Sequence, residues 1–314
     1  MTFDYTSMGF FTFDCLCRPV TEIPPGGGTY FIEELTLAVS GAAGSASIVA
    51  AKHGLRTQAV GGIGPDEMGE WVLKRLAKFG VDTRHMQLCP DFSTSSSIVT
   101  TRPDGARPAL HKLGATGGFF VSDAELDQVI DTKILHVGGV GLMDRMDKGR
   151  TAEVMQAAKA KGATTTLDVF ASTRDDLALI EPLLPNTDYF MPSEEEAMAL
   201  TGLTDFDAIA EALIEKGAGC VILTLGGQGA LYRHRDGTRF KVPAYDIKVV
   251  CTCGCGDCFN GGFATGLHLG LPAKDCVRLA QASSAQNAMG LGSQAVVKDL
   301  TTTLNFMERT PVKA

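Results

Sequence analysis

The apolar positions of this chain recur with two periods, and the two alternate along most of its length. Residues 6–14 (TSMGFFTFD) read as a first strand, with Gly9 at a close backbone approach and Asp14 at the strand's end. Residues 15–38 are irregular: PPGGG stands at 24–28 and a weakly alternating run, TYFIEELTLAV, follows, which suggests strands of a small sheet outside the main core. Residues 40–54 (SGAAGSASIVAAKHG) open glycine-rich and continue as an Ala-rich helix that stops at Gly54. A strand, TQAVGGIG, comes next, and then an amphipathic helix within DEMGEWVLKRLAKFG, with Met68, Trp71, Leu73 and Leu76 apolar and Gly80 as its stop.

Residues 95–115 read as two strands around a Pro-Asp-Gly turn at 103–105, a hairpin that joins residues 15–38 in a lid. Beyond it, strand and helix patterns alternate. KILHVGG precedes a helix at 147–161, ATTTLDV a helix near 174–184, TDYFMP a helix at 193–201, and GCVILTLGGQGALY the region 249–267. Alternation of this kind predicts a parallel sheet covered on both faces. Neither an internal repeat nor a low-complexity tract interrupts it.

Composition narrows the function classes. The chain has 314 residues with no linker-like break, so one α/β domain over 1–314 is expected, and 45% hydrophobic content is ample for its core. A net charge of -8 argues against nucleic acid as a partner and against an anionic membrane surface. No stretch of about 18 apolar residues exists to span a membrane. The start, MTFDYTSMGFF, lacks the basic and apolar regions of an export signal. A cytoplasmic chain with reduced thiols is therefore expected. Of its nine cysteines, Cys251, Cys253, Cys255 and Cys258 crowd into eight residues, without a CxxC pair or a histidine pattern. They read as small residues filling a tight turn rather than as a metal site.

That turn carries the first candidate chemistry. In VVCTCGCGDCFNGGFATGL (249–267), Gly254 and Gly256 relax the backbone, and Phe259, Phe263 and Leu267 mark one face of the helix that follows. Amide groups at such a helix start face an anion, and Asp257 among them could take a proton from a hydroxyl. Alone, however, Asp257 reads as a helix cap. Ser193 and Glu196 fit a capping box, Glu194 and Glu195 are helix-start charges, and the glycines of TLGGQGALY are weak evidence by themselves. Asp66 and Asp82 read as turn and cap residues, and His136 as core. Arg102, Arg107, His111 and Lys112 form a basic cluster on the hairpin.

Taken together, these stretches change the balance. GCGDCFNGGF resembles the C-terminal signature of the ribokinase-like (PfkB) carbohydrate kinases, DTTGAGDxFxxGF. GGIGPDEMGEWVLKRLAKFGVDT resembles that family's GxvGxDxfGxxlxxxLxxxGVdt, and Thr224, Gly226 and Gly229 match TLGxxG. The helix start at 40–54 resembles GGxxxNxAxxLaxLG, with Ser40 and Ser45 in place of Gly and Asn, and N-x-x-E becomes Ser193 to Glu196. The resemblance runs over roughly residues 5–305.

It implies a ribokinase-like doubly wound sandwich with a mainly parallel central sheet and a small β lid. It also implies ATP-dependent phosphorylation of a primary alcohol on a sugar or sugar derivative. In that reading Asp257 is the base, beside the backbone of Gly254, Cys255 and Gly256. Asp14, Gly41, Ser45 and Arg107 bind the acceptor, and Ser193, Thr224, Gly226, Gly229 and Gln281 the ATP. Glu196 serves Mg2+ through water.

Two departures stand out. Cys251 replaces an aspartate that helps hold a monovalent cation, which argues against potassium activation. Gly138 and Gly139 stand where a ribokinase-type acid is expected, which argues against ribose. A nucleoside kinase is a second reading, with Phe11, Phe13 and Tyr30 available for stacking on a base. A catalytically idle sugar- or nucleotide-binding regulator is a third, motivated by the changes at 40, 45 and 251. The exposed lid sheet would need covering, which allows a homodimer through the lid.

Overall fold

The computed structural model describes residues 1–171 and 173–313. In chain order the strands are β1 (Phe3–Gly9), β2 (Thr12–Arg18), β3 (Glu34–Ser40), β4 (Thr57–Ile63), β5 (Asp82–Leu88), β6 (Ser96–Thr100), β7 (Ala109–Lys112), β8 (Thr132–Val140), β9 (Thr164–Val169), β10 (Tyr189–Phe190), β11 (Cys220–Thr224), β12 (Ala230–His234) and β13 (Arg239–Val242). The helices are α1 (Ala42–Lys52), α2 (Glu67–Lys78), α3 (Asp123–Val129), α4 (Arg150–Ala160), α5 (Leu177–Ile180), α6 (Glu194–Thr201), α7 (Phe206–Glu215), α8 (Cys255–His268), α9 (Ala273–Ala288) and α10 (Leu300–Arg309).

Nine strands form the main sheet in the order β13-β12-β11-β10-β9-β8-β1-β4-β5. It is parallel from β11 to β5, and β12 alone is reversed, pairing antiparallel with both β11 and β13. The alternation along each strand sorts residues between its two faces. On β8, Leu135 and Val137 enter the cluster shared with α3, α4, α6 and α7, while Ile134 enters the cluster shared with α1 and α8. Both faces are buried, which is why these strands read as near-continuous apolar runs. On the second face, Phe263 of α8 is fully buried and meets Tyr189 edge-on at 5.0 Å. Truncating such a ring to alanine costs about 3–5 kcal/mol.

The second sheet has the order β3-β2-β6-β7. Its register sorts it into a wet inner face and an apolar outer one. Ala38, Asp14, Ser97 and His111 lie in one cross-strand row, and Leu37, Cys15, Ile98 and Leu110 in the next. Asp14, Ser97 and His111 of the inner row line a cavity against the main sheet. On the outer row Ile98 is 51% and Leu110 64% exposed.

Three expectations are corrected here. The single strand expected over 6–14 is two strands that belong to different sheets. The break falls after Gly9, whose φ of 134° turns the chain and whose missing Cβ would lie 2.1 Å from the Gly138 carbonyl oxygen. Asp14 consequently sits inside the lid strand β2 rather than at the end of a core strand. The helix expected near 174–184 is a short α5 flanked by 3-10 turns, because Pro182 and Pro185 deny it continuous hydrogen bonding. Within 15–38, regular structure beyond β2 is confined to β3. The Pro-Asp-Gly turn is present, closed by the Gly105 N–H donating to the Arg102 carbonyl at 3.0 Å.

Candidate active site

Gly254 starts α8 from the left-handed region, at φ 73°, and a Cβ there would meet the Ser293 hydroxyl at 2.7 Å. Only glycine passes this point without strain. The Cys255 N–H donates to the Thr252 carbonyl at 3.3 Å and the Cys258 N–H to the Gly254 carbonyl at 2.9 Å. Between them, the Gly256 and Asp257 N–H groups make no hydrogen bond among the described residues. They open into a cavity of about 820 Å³, at the positive end of a 14-residue helix. The volume falls in the range of small-molecule clefts. It lies beyond the carboxyl ends of the parallel strands, where ligands of open α/β sheets bind.

Asp257 stands in this cavity, crowded by protein yet reachable from it. Burial pushes its carboxyl up to about 6, with Asp14 and Glu196 adding to the rise; the Ser45 hydroxyl and the Arg107 charge hold it down. A carboxylate of this kind is ionised at neutral pH and still basic enough to accept an alcohol proton. Arg107 crosses from the lid, its Nε donating to Thr252 Oγ1 at 3.0 Å in the turn that precedes α8.

On one side of Asp257 lies the lid's inner face. Asp14 is 3% exposed and accepts from Thr12 Oγ1 at 3.1 Å. Burial raises its pKa, while hydroxyls of Ser40, Ser97 and Thr12 favour the ionised form. Ser97 Oγ and His111 Nδ1 lie 2.9 Å apart, so the row presents a carboxylate, a hydroxyl and an imidazole side by side. Gly41, at φ 88°, borders the same space, and its Cβ would strike the Phe10 carbonyl at 2.5 Å.

On the other side lie Ser193, Thr224, Gly226 and Gln281, all on the cavity wall. Ser193 and Thr224 are brought together as a parallel bridge between the chain entering α6 and the end of β11. The capping box is real: Glu196 Oε2 accepts from the Ser193 N–H at 2.9 Å and from its hydroxyl at 2.8 Å. Glu196 remains on the cavity wall, and burial raises its carboxyl. Cap and cavity roles therefore coexist.

Not every expected residue reaches the cavity. Ser45 is fully buried behind Asp257, and its hydroxyl makes no well-formed hydrogen bond among the described residues. Gly229 is a packing glycine: a Cβ there would fall 1.9 Å from the Val242 carbonyl oxygen. Cys255 contributes backbone to the wall, its thiol accepting from Asn287 Nδ2 at 3.3 Å. Of the rings offered for base stacking, Phe11 is buried in the core and Phe13 packs on Trp71 at 5.2 Å. Tyr30 bonds Thr21 on the surface. None of the three lines the cavity. His136 is core, its Nδ1 at 2.9 Å from Thr166 Oγ1. Asp66 caps α2, and Asp82 pairs with Arg84 at 2.8 Å.

Two residues escaped the sequence reading. Asp168 ends β9 on the cavity wall, bonded by Asn260 Nδ2. Burial and the charges of Glu196 and Asp257 raise its carboxyl far above the usual range. The signal was an acid at the end of the apolar strand TTTLDV. Lys313 arrives from the C-terminal tail, which pairs with residues 244–246 through Lys313 N–H to Ala244 O and Asp246 N–H to Pro311 O, both 2.8 Å. Its Nζ lies 3.2 Å from where a Cβ on Gly227 would stand, on the cavity wall, and makes no ion pair among the described residues.

Asp168 and Glu196 are acids facing one space, Glu196 helping to raise the Asp168 carboxyl, and a cation would complement their ionised forms. Among the described residues no three His, Cys, Asp or Glu side chains converge on a point. A metal held by one or two carboxylates, with phosphate and water completing its shell, fits this donor set, and that is the habit of Mg2+. A monovalent cation fits poorly at Cys251. That side chain is fully buried among Leu16, Ala38 and Val99, with its sulfur 3.5 Å from Thr101 Oγ1.

A family model described as pfkB family carbohydrate kinase matches residues 18–299. An ATP-dependent 6-phosphofructokinase of Thermoanaerobacterium thermosaccharolyticum is 27% identical, over 79% of this chain and 78% of its own. A ribokinase of Haemophilus influenzae is 24% identical over 90% and 91%. Among solved structures, an Arabidopsis thaliana ribokinase complexed with ribose and ATP superposes with a TM-score of 0.83, at 22% identity and covering 98% of this chain and 99% of that one.

Proposed function

The chain belongs to the pfkB family of carbohydrate kinases, and on that premise we propose that it transfers the terminal phosphoryl group of ATP to a primary alcohol of a sugar or sugar derivative. The observation that carries this reading is the position of Asp257. It stands at the mouth of the amide-lined turn, between the lid row of Asp14, Ser97 and His111 and the wall of Glu196, Thr224 and Gly226.

In this reading Asp14 and its neighbours hold the acceptor's hydroxyls so that one faces Asp257. The carboxylate takes that hydroxyl's proton as the oxygen forms its bond to the γ-phosphorus. The bond from that phosphorus to the bridging oxygen breaks, and ADP keeps the electron pair. The Gly256 and Asp257 N–H groups stabilise charge on the transferring phosphoryl, and Arg107 brings a further positive charge from the lid. Thr224, Gly226, Gln281 and Lys313 line the nucleotide's side. Asp168 and Glu196 would hold Mg2+, which when bound neutralises the phosphates. The lid excludes water, the competing acceptor.

Burial of Cys251 supports catalysis without potassium, so exchanging potassium for a bulky organic cation should leave turnover within about twofold. An idle regulator finds no support in a cavity that keeps Asp257 and both glycines. No described helix is long and apolar enough to cross a membrane. The apolar outer row of the lid supports a homodimer formed there.

ADP release with Mg-ATP across sugars, sugar acids, sugar phosphates and nucleosides tests the reaction. Release that depends on one acceptor class supports it. Silence with all of them, from folded protein that still binds ATP, refutes it.

A further inference from the structure

A second cavity, of about 650 Å³, lies at the opposite end of the main sheet. Its wall is built where the parallel strands begin: Lys133 on β8, Thr164 on β9, Tyr189 on β10 and Gly219 just before β11. Lys159, near the end of α4, and His268, the last residue of α8, stand on it too. Asp257 precedes His268 by eleven residues in the same helix, which separates them by about 16 Å along its axis. A ligand seated here is out of reach of the proposed base.

The chain carries a net charge of -8, yet this wall is basic. Lys133, Lys159 and Arg235 stand on it against one acid, Asp188. That acid is already engaged: its Oδ2 accepts from the Thr165 N–H and its Oδ1 meets Lys159 Nζ, each at 2.9 Å. Lys133 shares its acid with another cation. Its Nζ is 2.9 Å from Asp4 Oδ1, while Arg56 Nε meets Asp4 Oδ2 at 3.1 Å. One carboxylate thus answers two positive charges. His234, also on the wall, is answered by Asp236 at 3.0 Å.

Two groups are left without partners. Arg235 makes no ion pair among the described residues. Its N–H donates to the Gly219 carbonyl at 3.0 Å, and its Nη2 lies 3.1 Å from where a Cβ on Gly219 would stand, so the guanidinium is folded over the strand start. His268 Nδ1 is shielded from water, 3.8 Å from Asp4 Oδ1, and has no hydrogen-bond partner among the described residues.

Cations left over around a concave surface complement an anion, and several of them spaced along one wall favour an anion with more than one charge. We propose that this cavity binds a small polyanion, a molecule bearing two or more phosphate or carboxylate groups. Lys133, Lys159 and Arg235 hold its charges, and the orphaned His268 Nδ1 is a fourth partner. The site binds its ligand without turning it over. It goes beyond the kinase reading, since no step of the proposed phosphoryl transfer uses any of these residues.

Isothermal titration of the whole chain at low salt tests it, with citrate and pyrophosphate as the two sources of charge and inorganic phosphate as the single-group probe. At least one polyanion is expected to bind one site per chain with Kd below about 1 mM, and inorganic phosphate about tenfold or more weaker. Citrate and pyrophosphate, compared with each other, identify the source. Arg235→Gln should weaken the polyanion about tenfold, and Arg235→Glu should abolish its binding. Arg235 is exposed, so both variants should melt with the wild type. At a hundredfold excess over Kd the polyanion should raise the wild-type melting temperature by about 4 °C and leave that of Arg235→Glu unmoved. Arg107→Gln, in the first cavity, should keep the affinity within about twofold.

Absence of binding by both polyanions overturns the inference. So does binding that survives Arg235→Glu; its loss in Arg107→Gln instead would return the ligand to the first cavity. None of these outcomes depends on ADP release, so the kinase reading stands or falls apart from them.

Discussion

The raised Asp257 carboxyl fixes where activity fails as pH falls. The proposed base must be ionised, and its carboxyl stands at about 6 instead of 3.8 because it is buried. At pH 5 only about 9% of a group with that value is ionised, against about 94% of an ordinary aspartate. The acid limb of kcat/KM should therefore bend near pH 6 and fall about tenfold for each unit below it. Arg107 holds the value down, so Arg107→Gln should move the limb to higher pH.

The same rise carries a stability consequence. The folded chain keeps this proton longer than the unfolded chain does, so the stabilisation is full below pH 3.8 and is lost as pH climbs to about 6. The loss is about 3 kcal/mol. Asp257→Asn escapes it, so above pH 6.5 that variant should melt about 4–5 °C higher than the wild type. The gap should close towards pH 4. Initial rates from pH 4.5 to 8 and melting curves over the same range decide the matter. Activity level down to pH 5, or an Asn variant that melts lower at pH 7.5, would refute the reasoning.

Other outcomes follow from the same cavity. Asp168→Asn and Glu196→Gln should each raise the Mg2+ needed for half-maximal activity by about tenfold or more, while the free protein melts no lower at pH 7.5. An unchanged Mg2+ titration excludes the proposed acids. Lys313→Gln should raise KM for ATP about tenfold with kcat little changed, the effect of losing one charge-assisted contact. An effect on acceptor KM alone would contradict its placement beside Gly227. Leu110→Asp, at the outer row of the lid, should turn a dimer into a monomer in sedimentation equilibrium; a wild type that is already monomeric excludes the lid interface.

The fold was legible where pattern and tertiary need coincide. Strand and helix alternation gave the parallel sheet, while the glycine turn before Asp257 read alone as a helix start and stood out only through its resemblance to a family signature. The boundary between β1 and β2 was hidden: Phe10 and Phe11 continue the apolar run, and only the close approach of Gly9 to Gly138 separates core from lid. Asp168 was missed because one acid inside an apolar strand is locally a defect, and only the pairing of β8, β9 and β10 brings it into line with Glu196. Lys313 was missed because a tail without periodicity says nothing of where it returns. Ser45 and Gly229 carry the right motif positions yet face protein, since spacing identifies a residue's neighbourhood but not the direction of its side chain.

The central claim is that Asp257 is the base for phosphoryl transfer, and turnover of Asp257→Asn at saturating Mg-ATP and acceptor tests it most directly. The account predicts a loss of about a thousandfold or more in kcat, with ATP affinity within about twofold of the wild type. A folded Asp257→Asn chain that keeps a tenth of wild-type turnover would contradict it.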